Sequence, residues 1–173
     1  MDLEFSSLKP EAEIVEIGGL VVDQKTLEIE KEFFYKIKLQ KPELADEESL
    51  EMIGYNQENW KEAKTIDQVL KELIPLFKDN IMVGFNLAMD YARLEKALAE
   101  NGFYFEKGKA DPFYRRRIDV LSMAYLKLKE NSQIKYFSLR ELCQFYDIKI
   151  SNEHNALEDS RATYLLFKKL IED

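Results

Sequence analysis

The chain's fold is most restricted by where its hydrophobic period changes. "EIVEIGGLVVD", Glu13 to Asp23, is rich in β-branched residues and apolar on both parities. After a short polar "QKT" comes "LEIEKEFFYKIKL", Leu27 to Leu39, and the two runs predict an antiparallel hairpin. Beyond it the period switches to strand and helix in alternation. "IMVGFN", Ile81 to Asn86, has the length of a short buried strand, and the helix after it carries Leu87, Tyr91, Leu94 and Leu98 on one face with Gly102 as its stop. "RRRIDV" leading into "LSMAYLKLKE" forms a second such pair. Thr65 with Gln68, ahead of "VLKELIPLF", and Ser138 with Glu141, ahead of "SLRELCQFY", mark two more helix starts, the first of which Pro75 should kink or shorten. A final helix covers Ala156 to Ile171, and the polar stretch from Gln40 to Lys64 reads as loops and short helices. A hairpin followed by this alternation predicts an α/β layered fold with a mixed sheet flanked by helices.

Composition limits what such a fold can do. With 173 residues, 46% of them hydrophobic, the chain suits one domain, residues 1–173, with a sizeable core. No apolar run approaches the roughly 18 residues of a membrane span, and "MDLEF" is the opposite of a basic signal-peptide opening, so a soluble, cytoplasmic protein with no membrane partner is expected. The single cysteine, Cys143, reads as a small core residue rather than a nucleophile. A formal net charge of −8 leaves no global basic field for a long nucleic acid. The only basic run, Arg115 to Arg117 with Lys107 and Lys109 upstream, fits a solvated face as well as a binding patch.

Several acids stand where apolar residues belong. Asp2 and Glu4 are two apart in an extended segment and point to one side of it. Asp90 lies three residues after Leu87 and four before Leu94, on the apolar face of its helix. Asp159 opens a stripe formed by Ala162, Thr163, Leu166 and Leu170. Singly, each acid reads better as a cap or a surface charge. Together they direct carboxylates from three elements toward one interior, which is costly unless a cation relieves the repulsion. An all-oxygen set suits magnesium or manganese better than zinc. His154, the chain's one histidine, stands five residues before Asp159. Alone it would read as a helix cap or a surface group.

The order of these features resembles the DEDDh 3′–5′ exonucleases, the family of bacterial proofreading subunits (DNA polymerase III epsilon), ribonuclease T and oligoribonuclease. "DLEFSSLKPEAEIVEIGGLVVD" is similar to the family's Asp-x-Glu motif and "IxEIG" strand, "VGFNLAMDYARLEKAL" to its second motif, and "HNALEDSRAT" to its His-x4-Asp motif. The resemblance covers nearly the whole chain. It implies a ribonuclease H-like fold, with Asp2, Glu4, Asp90 and Asp159 as ligands of two divalent cations, Mg²⁺ or Mn²⁺, and His154 as the base that activates water. It also implies that Phe5, Ser6 and Asn86 contact the substrate, with Phe5 beside its terminal nucleotide.

Two positions depart from the family pattern. "FSS", Phe5 to Ser7, replaces the usual Thr-Thr-Gly turn, and Phe85 stands where many members carry histidine. Asp119 matches a mostly structural position and is left outside the site. The expected activity is metal-dependent release of nucleoside 5′-monophosphates from single-stranded 3′ ends, with DNA preferred over RNA and association with a DNA polymerase among the partner readings. The alternatives are an oligoribonuclease-type enzyme and a catalytically weak nucleic-acid-binding or polymerase-associated module. Because only Met1 precedes Asp2, the first strand is expected to be weak unless residues upstream or bound metal pin it.

Overall fold

The computed structural model describes residues 1–105, 108–113, 115–151 and 154–172. Strand β1 (Asp2–Phe5) is followed by β2 (Ile14–Val22) and β3 (Ile29–Lys36). A short turn of helix at Pro42–Leu44 and helix α1 (Glu47–Met52) occupy the polar stretch before α2 (Ile66–Phe77). Then come β4 (Met82–Gly84), α3 (Ala88–Glu100), β5 (Arg117–Asp119), α4 (Val120–Leu128), α5 (Leu139–Phe145) and α6 (Ala156–Glu172).

The expected hairpin is present: β2 pairs antiparallel with β3, and β1 adds antiparallel to the other edge of β2 with Asp2 opposite Gly18 and Glu4 opposite Glu16. β4 and β5 pair in parallel, with Gly84 opposite Asp119. Both pairing senses of a mixed α/β fold therefore occur, but in two hydrogen-bonded sheets, β1-β2-β3 and β4-β5. They meet at the start of the chain, where the Met1 main-chain nitrogen donates to the Val83 carbonyl at 2.7 Å.

The helix signals hold. Thr65 and Gln68 form the full capping box of α2, and the helix runs on through Pro75 to end two residues later. In the last turn proline gives up one hydrogen bond and disturbs only one carbonyl, so it shortens the helix without breaking it. Gly102, at φ +77, terminates α3 in the left-handed region. One core cluster, with Ile17, Leu70, Leu73 and Leu94, unites the hairpin with α2 and α3. A second, with Val120, Leu142 and Leu166, unites α4, α5 and α6. No helix among the described residues is long and apolar enough to cross a membrane.

Candidate active site

Period two in β1 sends Leu3 into the core, where it is 4% exposed, and turns Asp2 and Glu4 to the opposite side. α6 packs against that side. Its approach is set at Gly18, where an added Cβ would lie 2.3 Å from the main chain of Ala156. Ser160 fixes the same contact by donating from its hydroxyl to the Gly18 carbonyl at 3.0 Å. Asn155 caps the helix, its side-chain oxygen accepting from the Glu158 N–H at 3.2 Å. The helix start thus carries His154 and Asp159 onto the carboxylates of β1.

Glu4, His154 and Asp159 each offer a donor atom within 4.8 Å of the others. Asp90, buried on α3, and Asp2 line one cavity beside this group. All four acids and the histidine expected from the sequence are thereby brought to one place. Burial pushes the Glu4 carboxyl up to about 8, with the charges of Asp159, Glu16 and Asp90 adding to the effect. Burial also raises Asp90 to about 7. Asp2 is held well above the usual carboxylate range by burial and then by the charges of Asp90, Glu4 and Asp159. Oxygen donors bound to one cation at about 2.0–2.6 Å lie at most about 4–5 Å apart, so the Glu4–Asp159 spacing and the oxygen-rich donor set fit a divalent ion. Cys143 has no part in this chemistry: it is buried, and its thiol is pushed up to about 12 by burial and by Asp159.

The other expected site residues are more varied. Asn86 is exposed at φ +54 in the turn between β4 and α3, and it lines the same cavity as Asp2 and Asp90. Phe5 is half-buried against the first core, with the Arg93 guanidinium 5.4 Å from its ring centre. Ser6 is fully buried and its hydroxyl accepts from the Glu13 N–H at 3.0 Å, so it shapes the turn rather than facing the cleft. Arg93 locks that turn by donating to the carbonyls of Lys9, Pro10 and Ala12.

Two positioning groups were not among the expected site residues. Glu16, 1% exposed, accepts from the Ala156 N–H at 3.3 Å and so joins β2 to the start of α6. Its signal was an acid inside a strand otherwise apolar on both faces. Asp119 accepts from the Asn86 and Leu121 N–H groups, both at 3.0 Å, holding the Asn86 turn while capping α4. In the basic run, Arg117 pairs with Asp111 at 2.9 Å and lies 3.3 Å over the Tyr91 ring, so it is taken up by packing. Arg115 and Lys109 are exposed, and Lys107 lies outside the described residues.

Known proteins resemble the chain over most of its length. A DNA polymerase III PolC-type protein of Thermotoga maritima is 27% identical over 173 residues, 99% of this chain but 12% of that protein. The DNA polymerase III subunit epsilon of Aquifex aeolicus is 27% identical over 109 residues, 63% of this chain and 49% of that one. The chain therefore spans under half the length of these relatives. Among solved structures, the nuclease domain of 3′hExo, a DEDDh family member bound to rAMP, superposes with a TM-score of 0.78 at 20% identity, covering 99% of this chain and 90% of that one. Exonuclease I of E. coli in complex with a dT13 oligonucleotide gives 0.79 at 17% identity, over 98% of this chain and 39% of the other. These superpositions establish the ribonuclease H-like fold. The RNase_T family model, described as exonuclease, matches residues 1–167. The chain belongs to the RNase_T exonuclease family, as its resemblance to the DEDDh exonucleases implied.

Proposed function

We propose that the chain is a metal-dependent 3′–5′ exonuclease acting on single-stranded ends, with Asp2, Glu4, Asp90 and Asp159 holding two divalent cations, Mg²⁺ or Mn²⁺. The observation that carries this reading is the meeting of Glu4, His154 and Asp159, from distant parts of the chain, within 4.8 Å and beside Asp2 and Asp90. Bound cations would acidify the attacking water and offset charge on the leaving oxygen. His154, exposed at the edge of the group, takes the proton from that water, imidazole being the commonest general base. Asp90 and Asp2 bring negative charge that only a cation makes tolerable, and Glu16 and Gly18 hold α6 at the distance His154 needs. Phe5 and the turn after it seat the terminal nucleotide. Asn86 holds the strand on the other side of the carboxylates.

DNA is the preferred substrate, supported by the likeness to polymerase III components. Association with a DNA polymerase and a cytoplasmic location follow from the same likeness as parts of the proposal. An oligoribonuclease-type activity is the second reading, favoured by the net charge of −8, which suits a few nucleotides better than a long strand. Incubation with Mn²⁺ and end-labelled single-stranded DNA, RNA or a dinucleotide separates the two. The account expects the highest initial rate on DNA, whereas a rate on the dinucleotide above both polymers would establish the second reading.

A further inference from the structure

The cavity beside the carboxylates has a wall that the proposed chemistry does not use. It has a volume of about 450 Å³ and runs from Asp2 and Asp90 past Asn86 to Met89, Tyr136 and Phe137. That size matches a small-ligand site. Tyr136 is 84% exposed, although its neighbours Ile134 and Phe137 are tucked into the second core. An exposed ring gains little from burial, yet the segment that carries it is held firmly. The Glu141 carboxylate accepts from the N–H groups of Lys135, Tyr136 and Phe137, each at 2.8 Å. Ser138 caps α5 by accepting from the Glu141 N–H at 3.2 Å. Phe137, at φ +52, sets its ring 5.3 Å from that of Tyr125. Main chain on both sides of Tyr136 is therefore fixed, and its ring is left on the rim of a cavity whose far wall is catalytic carboxylate.

The geometry points to a nucleobase subsite in which Tyr136 stacks on the base of the penultimate nucleotide, on the 5′ side of the bond to be cut. This rests on the exonuclease reading, which puts the terminal nucleotide at the turn after Phe5 and leaves the opposite side of the carboxylates to the next residue of the strand. Every base has a π-face, so an aromatic platform grips the strand without selecting sequence. Tyrosine does this at low entropic cost, having few rotatable bonds to fix. Through it, a chain with no global basic field can hold a strand locally, and Asn86, its main chain held by Asp119, provides a polar partner for the same nucleotide.

The test measures binding rather than turnover. The probe is a short single-stranded oligodeoxynucleotide with an uncleavable methylenephosphonate in place of the terminal linkage and 2-aminopurine at the penultimate position, titrated with protein in Mg²⁺. The wild type should quench the fluorophore. Tyr136→Ala should weaken binding about tenfold or more, and Tyr136→Phe should bind like the wild type. Because the side chain is exposed, its truncation leaves the core intact. Glu141→Gln, which turns one of the two accepting oxygens into an amide donor, should weaken the same binding several-fold. On a strand with an abasic penultimate residue, wild type and Tyr136→Ala should bind alike. Equal binding of the 2-aminopurine strand by both, an equal loss on the abasic strand, or no binding by the wild type would overturn the subsite. Cleavage of the ordinary phosphodiester strand by the wild type tests the nuclease reading separately, since quenching without cleavage would keep the subsite and remove the exonuclease.

Discussion

His154→Ala removes the group assigned to take a proton from water, and turnover should fall about 10²–10⁴-fold with metal binding little changed. As the only histidine, its imidazole can be followed by NMR without assignment, and wild-type turnover in the variant would return it to a surface role. Asp90→Asn and Asp159→Asn should each abolish hydrolysis. Asp90→Asn should also raise stability in chelator near neutral pH, because it removes one of several repelling carboxylates. The pH dependence has a definite sign. Glu4 titrates at about 8 in the folded chain against an ordinary value of 4.5, so between these values the folded state binds more protons than the unfolded one. Metal-free stability should therefore be fullest near pH 4 and fall as pH rises to about 8, while divalent metal, which needs the deprotonated acids, should reverse the trend. Melting temperatures from pH 5 to 8 with chelator and with Mg²⁺ would check both slopes. The five site candidates came from the order of the motifs that resemble the DEDDh exonucleases, since each acid alone reads as a cap or surface charge and His154 alone as a helix cap. The turn-shaping role of Ser6 was not legible, since hydroxyl burial leaves no mark on local spacing, and Glu16 showed as an acid in an apolar strand without disclosing its partner Ala156, 140 positions away.

At the scale of elements, α6 depends on the absence of a side chain in β2. Gly18→Ala should push the start of α6 off the sheet, costing about 1–3 kcal/mol as overpacking commonly does, and should lower activity more than that loss of stability explains. Thermal melts and initial rates on one preparation would check it, and a variant with normal rates would show that the helix start is not held there. The helices and the hairpin could be read from sequence because caps, stops and period act within a few residues. The junction of the two sheets could not. It rests on the Met1 nitrogen and the Val83 carbonyl, 82 positions apart, and on a β1 too short to announce its neighbour. That contact supplies part of the anchoring that the short strand lacks in its own sequence.

For the whole molecule, charge decides how the substrate is held. With a formal net charge of −8 and Arg117 committed to Asp111 and Tyr91, the basic run offers a strand less free charge than its composition suggests. The salt dependence of binding should be shallow, with a slope in log K against log salt near that of one or two phosphate contacts on single strands. A titration from about 50 to 200 mM salt would measure it, and a steep slope would mean that a basic surface grips the strand. The basic run, which the sequence leaves open between a solvated face and a binding patch, has Arg117 held by partners at a distance in sequence, while Arg115 is exposed. The central claim is that four carboxylates and His154 form one metal-dependent site that consumes single strands from the 3′ end. Its most direct test compares a 5′-labelled linear strand with circular single-stranded DNA, each in Mg²⁺ and in excess chelator. The account predicts a ladder of linear products shortened from the 3′ end one nucleotide at a time, released nucleoside 5′-monophosphates, an intact circle, and no reaction in chelator. Cutting of the circle, or full turnover in chelator, would contradict it.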